Sequence, residues 1–205
     1  MCIHQSHKRG FTLLEVMVSL GIFTMISMVV SSILIDSLRS NAIIWEQLQT
    51  QNDGRRVIQQ VIDDTRRAED SSLGAFPLQL ADPYEIIFYA NIDADSLRER
   101  VHYWLDGTSF KKGVLKPSGS PLAYNAIDED VVVLANNVIN EQQNDPIFTY
   151  FDETYTGSES PLTNPVILSD VRIVHVDLVL ERDPTASPVP FHVESTVFIR
   201  NLKTN

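Results

Sequence analysis

The chain has 205 residues, 43% of them hydrophobic, which suffices for one compact domain with an appended element and is short for two full domains. Sixteen basic residues stand against 27 acidic ones, a formal charge of −11, and so acidic a chain argues against direct nucleic-acid contact, which needs a basic footprint to displace phosphate counterions. A single cysteine, Cys2, excludes an internal disulfide, so packing alone must hold any folded head.

Residues 11–35 read FTLLEVMVSLGIFTMISMVVSSILI, a run with one charge, Glu15. At about 1.5 Å per residue it is long enough to cross a bilayer as a helix. His4, His7, Lys8 and Arg9 cluster before it, and the positive-inside tendency keeps that side cytoplasmic and sends everything after Ile35 outside. An ordinary secretory signal fits poorly: the basic residues abut the apolar run, the run is too long, and no small-x-small cleavage site follows. Cys2 is a poor lipidation site, because no apolar run precedes it. Glu15 needs a reason, since a carboxylate in hydrocarbon costs roughly 2.5–3.5 kcal/mol on insertion scales and marks a specific partner. A cut between Gly10 and Phe11 would create an α-amine about one helical turn from Glu15. The carboxylate could pair with that cation in its own chain or on a neighbouring subunit.

Lys8-Arg9-Gly10-Phe11-Thr12-Leu13-Leu14-Glu15-Val16 resembles the prepilin cleavage and methylation motif of type IV pilins and type II secretion pseudopilins. The resemblance implies that Lys8 and Arg9 belong to the recognised leader, that a prepilin peptidase cuts after Gly10 and N-methylates Phe11, and that Glu15 serves assembly. It also implies partners: other pilins or pseudopilins, the peptidase, and an inner-membrane platform with its assembly ATPase. Removing Lys8 and Arg9 leaves 14 basic against 27 acidic residues, a mature charge near −13.

Beyond the apolar run, Ile44, Leu48, Gln51, Arg55, Ile58 and Ile62 follow a three-four spacing, widened by Ile43, Val57 and Val61. With no proline between Phe11 and Phe76, this predicts one helix from about 12 to 70, with Arg66 and Arg67 in its last turn and Gly74 as a C-terminal stop. Gly21 and Gly54 are its weak points, each about 1 kcal/mol worse than alanine. Major pilins of the family commonly carry a proline midway through this helix, so its absence favours a minor subunit.

After Pro77 short alternating runs separated by Pro, Gly, Asn and Asp predict an antiparallel sheet. The strands expected are 85–90, 100–106, 109–115, 131–135, 147–151, 171–181 and 191–201, with Asp106-Gly107 as a hairpin signal. In the last pair Val174, Val176, Leu178 and Leu180 face one way, matched by Val193, Val197 and Ile199. The fold class is α+β, a long N-terminal helix packed on an antiparallel sheet, which is also the architecture the resemblance implies. The expected divisions are a leader at 1–10, a transmembrane segment at 11–35, an amphipathic continuation at 36–75 and a sheet head at 76–205. Residues 116–130 and 152–170 read as loops. The runs 134–140, 146–150 and 200–203 look like the minor pseudopilins of the J type.

Chemistry is sparse. His102, His175 and His192 fall on different expected strands without zinc-ligand spacing, and neither a Gly-x-Ser-x-Gly elbow nor a glycine-rich phosphate loop occurs. No catalytic residue and no cofactor is expected. Asn91, Asp93 and Asp95 alternate like the start of a calcium loop, but Ser96 stands where an EF-hand needs glycine and His102 where it needs an acid, so this is a weak calcium candidate and a turn is the simpler account. The alternative to a fibre subunit is a single-span anchored enzyme or binding protein, which would need a pocket that no motif foretells.

Overall fold

The computed structural model describes residues 12–93, 95–181 and 190–202. The chain divides into two compact units, Met1–Trp45 and Glu46–Asn205, and one helix, α1 (Leu13–Arg66), runs through the division. In the first unit α1 carries its large apolar side chains on the outside all round, from Leu13 to Leu38.

In the second unit α1 buries one stripe: Gly54, Val57, Ile58, Val61, Ile62 and Thr65. The i, i+3, i+4 spacing puts these on one face, and each fully buried aliphatic side chain contributes roughly 1.5–3 kcal/mol. This corrects the expected stripe at its N-terminal end, where Ile44, Leu48 and Arg55 are exposed. It also recasts Gly54, where an added Cβ would lie 2.9 Å from Leu180 Cδ1 and 3.1 Å from Val193 Cγ1. The glycine that lowers helix propensity permits a close approach of α1 to the strands beneath it.

α1 stops at Arg66, earlier than the sequence predicts, and Gly74 is not its cap. Arg67 and Ala68 donate their amides to the carbonyls of Asp64 and Thr65, tightening the last turn. Ala68 then bridges to Ala90 and the Glu69 amide donates to the Tyr89 carbonyl, so strand pairing captures the chain at that point. Gly74, with φ +79°, serves instead a turn closed by Ser71, whose hydroxyl accepts the Ala75 amide at 2.8 Å.

The strands fall into two antiparallel sheets rather than one. The first is a five-strand meander in sequence order: β1 (Leu78–Ala81), β2 (Glu85–Ala90), β3 (Glu99–Asp106), β4 (Ser109–Leu115) and β5 (Asp130–Ala135). The second comprises β6 (Phe148–Phe151), β7 (Ile173–Leu180) and β8 (Phe191–Phe198). Strand β1 escaped the sequence reading because its four residues are too short to show a period. Between the sheets a four-residue helix, α2 (Asn140–Gln143), is framed by Asn137 and Asn144 at φ +61° and +54°. Asparagine tolerates that left-handed region better than most residues. The run at 134–140 therefore carries the chain from one sheet to the next, with buried Asn140 donating to the Asp177 carbonyl and accepting the Val179 amide.

Alternation holds where it was clearest. Val174, Val176 and Leu178 are wholly buried, and Val174 pairs with Val197 and Leu178 with Val193. The β3–β4 hairpin closes on Asp106 and Ser109, with Gly107 first in the two-residue turn at φ +62°. That is the glycine placement of a II′ turn. An aromatic row, Phe88, Tyr103, Phe110 and Phe148, crosses β2, β3 and β4 to β6 with ring centroids 5.9–6.2 Å apart, tying both sheets and the α1 stripe into one core.

Candidate membrane-anchor and processing segment

Thr12 starts α1: its hydroxyl accepts the Glu15 amide at 3.3 Å, and its carbonyl accepts the amides of Glu15 and Val16. Thr12-x-x-Glu15 has the sequence of a capping box, of which the threonine half is formed. Past this cap the helix has a mean hydropathy of 2.2 over its most apolar 18-residue window, with none of that window buried in the protein. Water is a poor solvent for such a surface, and by length and composition it can span a membrane.

The polar side chains of this segment suit a lipid environment. Ser19, Thr24, Ser31 and Ser32 each donate their hydroxyl to a carbonyl three or four residues back, at 2.8–2.9 Å. These four hydroxyls are thus satisfied within their own helix, as hydrocarbon demands.

Glu15 is the exception. It lies in the first turn, exposed, and among the described residues no cation pairs with its carboxylate. An acid in the first turn gains about 0.3–1 kcal/mol from the helix dipole, well short of the roughly 2.5–3.5 kcal/mol that burial in lipid costs. The cap alone therefore does not account for it. Lys8, Arg9, Gly10 and Phe11, the expected leader and cleavage residues, lie outside the described residues.

Residues 5–31 match the family described as the prokaryotic N-terminal methylation motif. That motif supports a type IV pilin-like chain. That family is structural, and its members assemble with other pilins after processing by a prepilin peptidase. No curated protein matches the chain significantly. The motif match ends at residue 31, so it bears on the apolar N-terminal segment and leaves the rest of the chain to be read from the structure.

In the head, the three histidines stand on three different strands. His102 on β3 sits between Glu85 at 2.8 Å and Glu129 at 3.3 Å, stacked on Trp104. His175 on β7 meets Thr196 at 2.9 Å, and His192 on β8 lies 3.9 Å from Asp177.

The loop of Asn91, Asp93 and Asp95 joins β2 to β3, and the structure brings to it a residue the sequence reading missed, Glu99. Oxygen atoms of Asp93, Asp95 and Glu99 lie within 4.8 Å of one another. Glu99 is wholly buried, its Oε2 accepting the Ile92 amide at 3.1 Å. Burial raises its pKa above the ordinary carboxylate range, and Asp93 and Asp95 add to that rise against the Ile92 hydrogen bond. The signal was present in the sequence: Glu99, Val101 and Tyr103 alternate as the inward face of β3, and an acid in an inward position calls for a partner.

Proposed function

We propose that this pilin-like protein is a minor structural subunit of a type IV pilus or type II secretion pseudopilus, made as a precursor cut between Gly10 and Phe11. The observation that carries the reading is Glu15: the one charge in residues 11–35 stands at the head of an apolar helix with no cation among the described residues. Cleavage would create a cation at the head of that helix, the α-amine of Phe11, N-methylated by the peptidase, and Glu15 of one subunit would meet it in the assembled fibre.

In this reading residues 11–35 hold the subunit in the cytoplasmic membrane by a single span. The basic residues Lys8 and Arg9 remain cytoplasmic and the head is extracytoplasmic, available for extraction into a fibre. Its partners are other pilins or pseudopilins, the prepilin peptidase and the assembly platform. The mature charge near −13 makes direct contact with nucleic acid unfavourable. A minor role is supported by the unbroken α1, which has no proline to melt it. The J-type likeness rests on sequence runs alone.

The test is the mass of the N-terminal peptide of the membrane protein from cells with and without prepilin peptidase. A peptide beginning at N-methylated Phe11 only when the peptidase is present supports the reading. A chain that keeps Met1 in both, or is cut after Ile35, overturns it.

A further inference from the structure

Each sheet has two edge strands, and three of these four edges are blunted. β1 and β6 are four residues long, and β1 shifts register between Leu78 and Leu80. β8 sets His192, Glu194 and Thr196 among its exposed positions. Short strands, irregular pairing and polar outer positions keep an unpaired backbone from joining another chain. β5 lacks these devices over Val131, Val132 and Val133: no lysine or proline interrupts them, and its one irregularity, the register shift that leaves Leu134 unopposed, comes after them. β4 pairs with one side of β5, and among the described residues no strand pairs with the other. The three valines are 47%, 52% and 48% exposed. Val132 stands opposite Lys112 on the face toward α1 and Val131 and Val133 on the other, so both faces of the strand and its outer edge are open.

The charges beside this edge say what would cover it. Glu129 is already used within the protein: its side chain lies across Gly113, where any Cβ would overlap it, and its carboxylate reaches Arg100 at 3.2 Å and His102 at 3.3 Å. That contact ties down the entry to β5. Its neighbours Asp128 and Asp130 are exposed, and among the described residues no cation pairs with either. A strand added antiparallel to β5 brings its C-terminal end to these two acids, so charge complementarity asks for lysine or arginine there. A second copy of the chain does not supply it. Antiparallel self-pairing centred on Val132 sets Asp130 opposite Leu134 and Asp128 opposite Asn136, and parallel self-pairing sets acid against acid.

We propose that the outer edge of β5 is a docking site for an extended strand of a different protein chain, one that lays apolar, β-branched residues along residues 131–133 and sets a lysine or arginine against Asp128 and Asp130. Backbone amides and carbonyls on the free side of β5 supply the affinity, and the valines and the two acids select the side chains and the direction of the incoming strand. That strand becomes the sixth of the meander. The edge belongs to the head alone, so this proposal and the precursor reading fail separately.

The experiment is fluorescence anisotropy of a labelled peptide with the full-length chain in detergent micelles, with empty micelles as the blank. The probe has three valines between threonines and two lysines at its C-terminal end. One comparison peptide ends in two glutamates instead, and another is N-methylated on all three valines, which removes the donors that strand pairing needs. Expected are saturable binding of the lysine peptide and affinity at least about tenfold weaker for both comparison peptides. Val131→Lys with Val133→Lys, at exposed positions, should weaken the lysine peptide at least about tenfold and leave the melting temperature unchanged. Asp128→Lys with Asp130→Lys should reverse the preference between the lysine and glutamate peptides, which apolar adhesion alone would not do. Absence of saturable binding up to about 1 mM lysine peptide, or equal affinity for the N-methylated one, overturns the proposal. Self-association of the chain that Val131→Lys with Val133→Lys abolishes also overturns it, because the occupant is then a second copy.

Discussion

Lys112 on β4 places its Nζ 2.6 Å from Oδ2 of Asp64 on α1, forty-eight residues earlier in the chain, and both residues are buried. The same Asp64 oxygen accepts the Tyr103 hydroxyl at 2.6 Å, and Tyr103 stands directly opposite Lys112 in the β3–β4 register. An ion pair at the helix–sheet junction adds little over apolar packing while intact, but it penalises any arrangement that separates its members. It therefore fixes which turn of α1 lies over which strand.

Removing one member should be far worse than removing both. Asp64→Ala leaves a buried ammonium and a buried phenol without an acceptor and is expected to cost about 3–5 kcal/mol. Asp64→Ala with Lys112→Met, which removes the stranded charge, should recover a large share of that loss. Urea unfolding of the original chain, Asp64→Ala, Lys112→Met and the double variant gives the coupling energy. Additive effects would mean that the pair does not interact in solution.

Two buried phenols make the head sensitive to alkali. Burial, helped by Asp64 beside Tyr103 and by Asp82 and Glu85 near Tyr150, pushes both hydroxyls well above their ordinary pKa of 10.0. In the unfolded chain they lose protons near that value, whereas in the fold they keep them, so above it the folded state binds more protons. Stability from these groups is thus complete below about pH 10 and falls as pH rises further, by up to about 1.4 kcal/mol per pH unit for each phenol. Tyr150→Phe, which gives up a 2.9 Å hydrogen bond to the Asp82 carbonyl, should cost about 1 kcal/mol at pH 8 and flatten that fall. Unfolding midpoints from pH 8 to 11.5 check this. An unchanged slope in Tyr150→Phe would mean that its hydroxyl already ionises in the fold.

How the sequence encodes this head differs by element. Residues 171–181 and 191–201 could be read as strands, because Val174, Val176, Leu178 and Leu180 keep a period of two, and Val193, Val197 and Ile199 share it with Ser195 as the one break; the strands themselves are Ile173–Leu180 and Phe191–Phe198. The α1 stripe was legible from Val57 to Ile62 but misjudged upstream: an i, i+4 pattern continues through Leu48 and Ile44, and nothing in a periodic pattern says where the strands beneath it end. The split into two sheets was invisible because alternation names a strand's faces and not its neighbour. Asn91, Asp93 and Asp95 announced themselves by spacing, while Glu99 joined them only once β3 folded back.

Gly54 turns the sheet boundary into a measurable limit. Alanine there gains about 1 kcal/mol of helix propensity, but its Cβ must displace the Leu180 Cδ1 methyl from 2.9 Å. That methyl ends a flexible side chain, so Gly54→Ala should leave stability within about 1 kcal/mol of the original. Gly54→Val, with two further carbons directed at Leu180 and Val193, is expected to cost about 1–3 kcal/mol. Thermal melts of both variants decide the matter. A harmless valine would mean that α1 can lift from β7 and β8 without loss.

Glu15 separates anchoring from assembly. Its removal should ease insertion of the apolar segment, since the roughly 2.5–3.5 kcal/mol cost of a carboxylate in lipid disappears and only about 0.3–1 kcal/mol of helix-dipole stabilisation goes with it. If its role is to meet the α-amine of a neighbouring Phe11, Glu15→Ala should remain in the membrane fraction at normal or higher levels yet be depleted about tenfold or more from sheared fibres. Glu15→Gln keeps the size and hydrogen-bonding capacity of the side chain and loses only the charge, so equal depletion of both variants would locate the effect in the ion pair. Peptide mass must show that both variants begin at Phe11, because an uncut leader would block the same step for another reason. Recovery of correctly cut Glu15→Ala and Glu15→Gln in fibres at the original level would remove the assembly role from Glu15 and leave its cost in the membrane without a compensating partner.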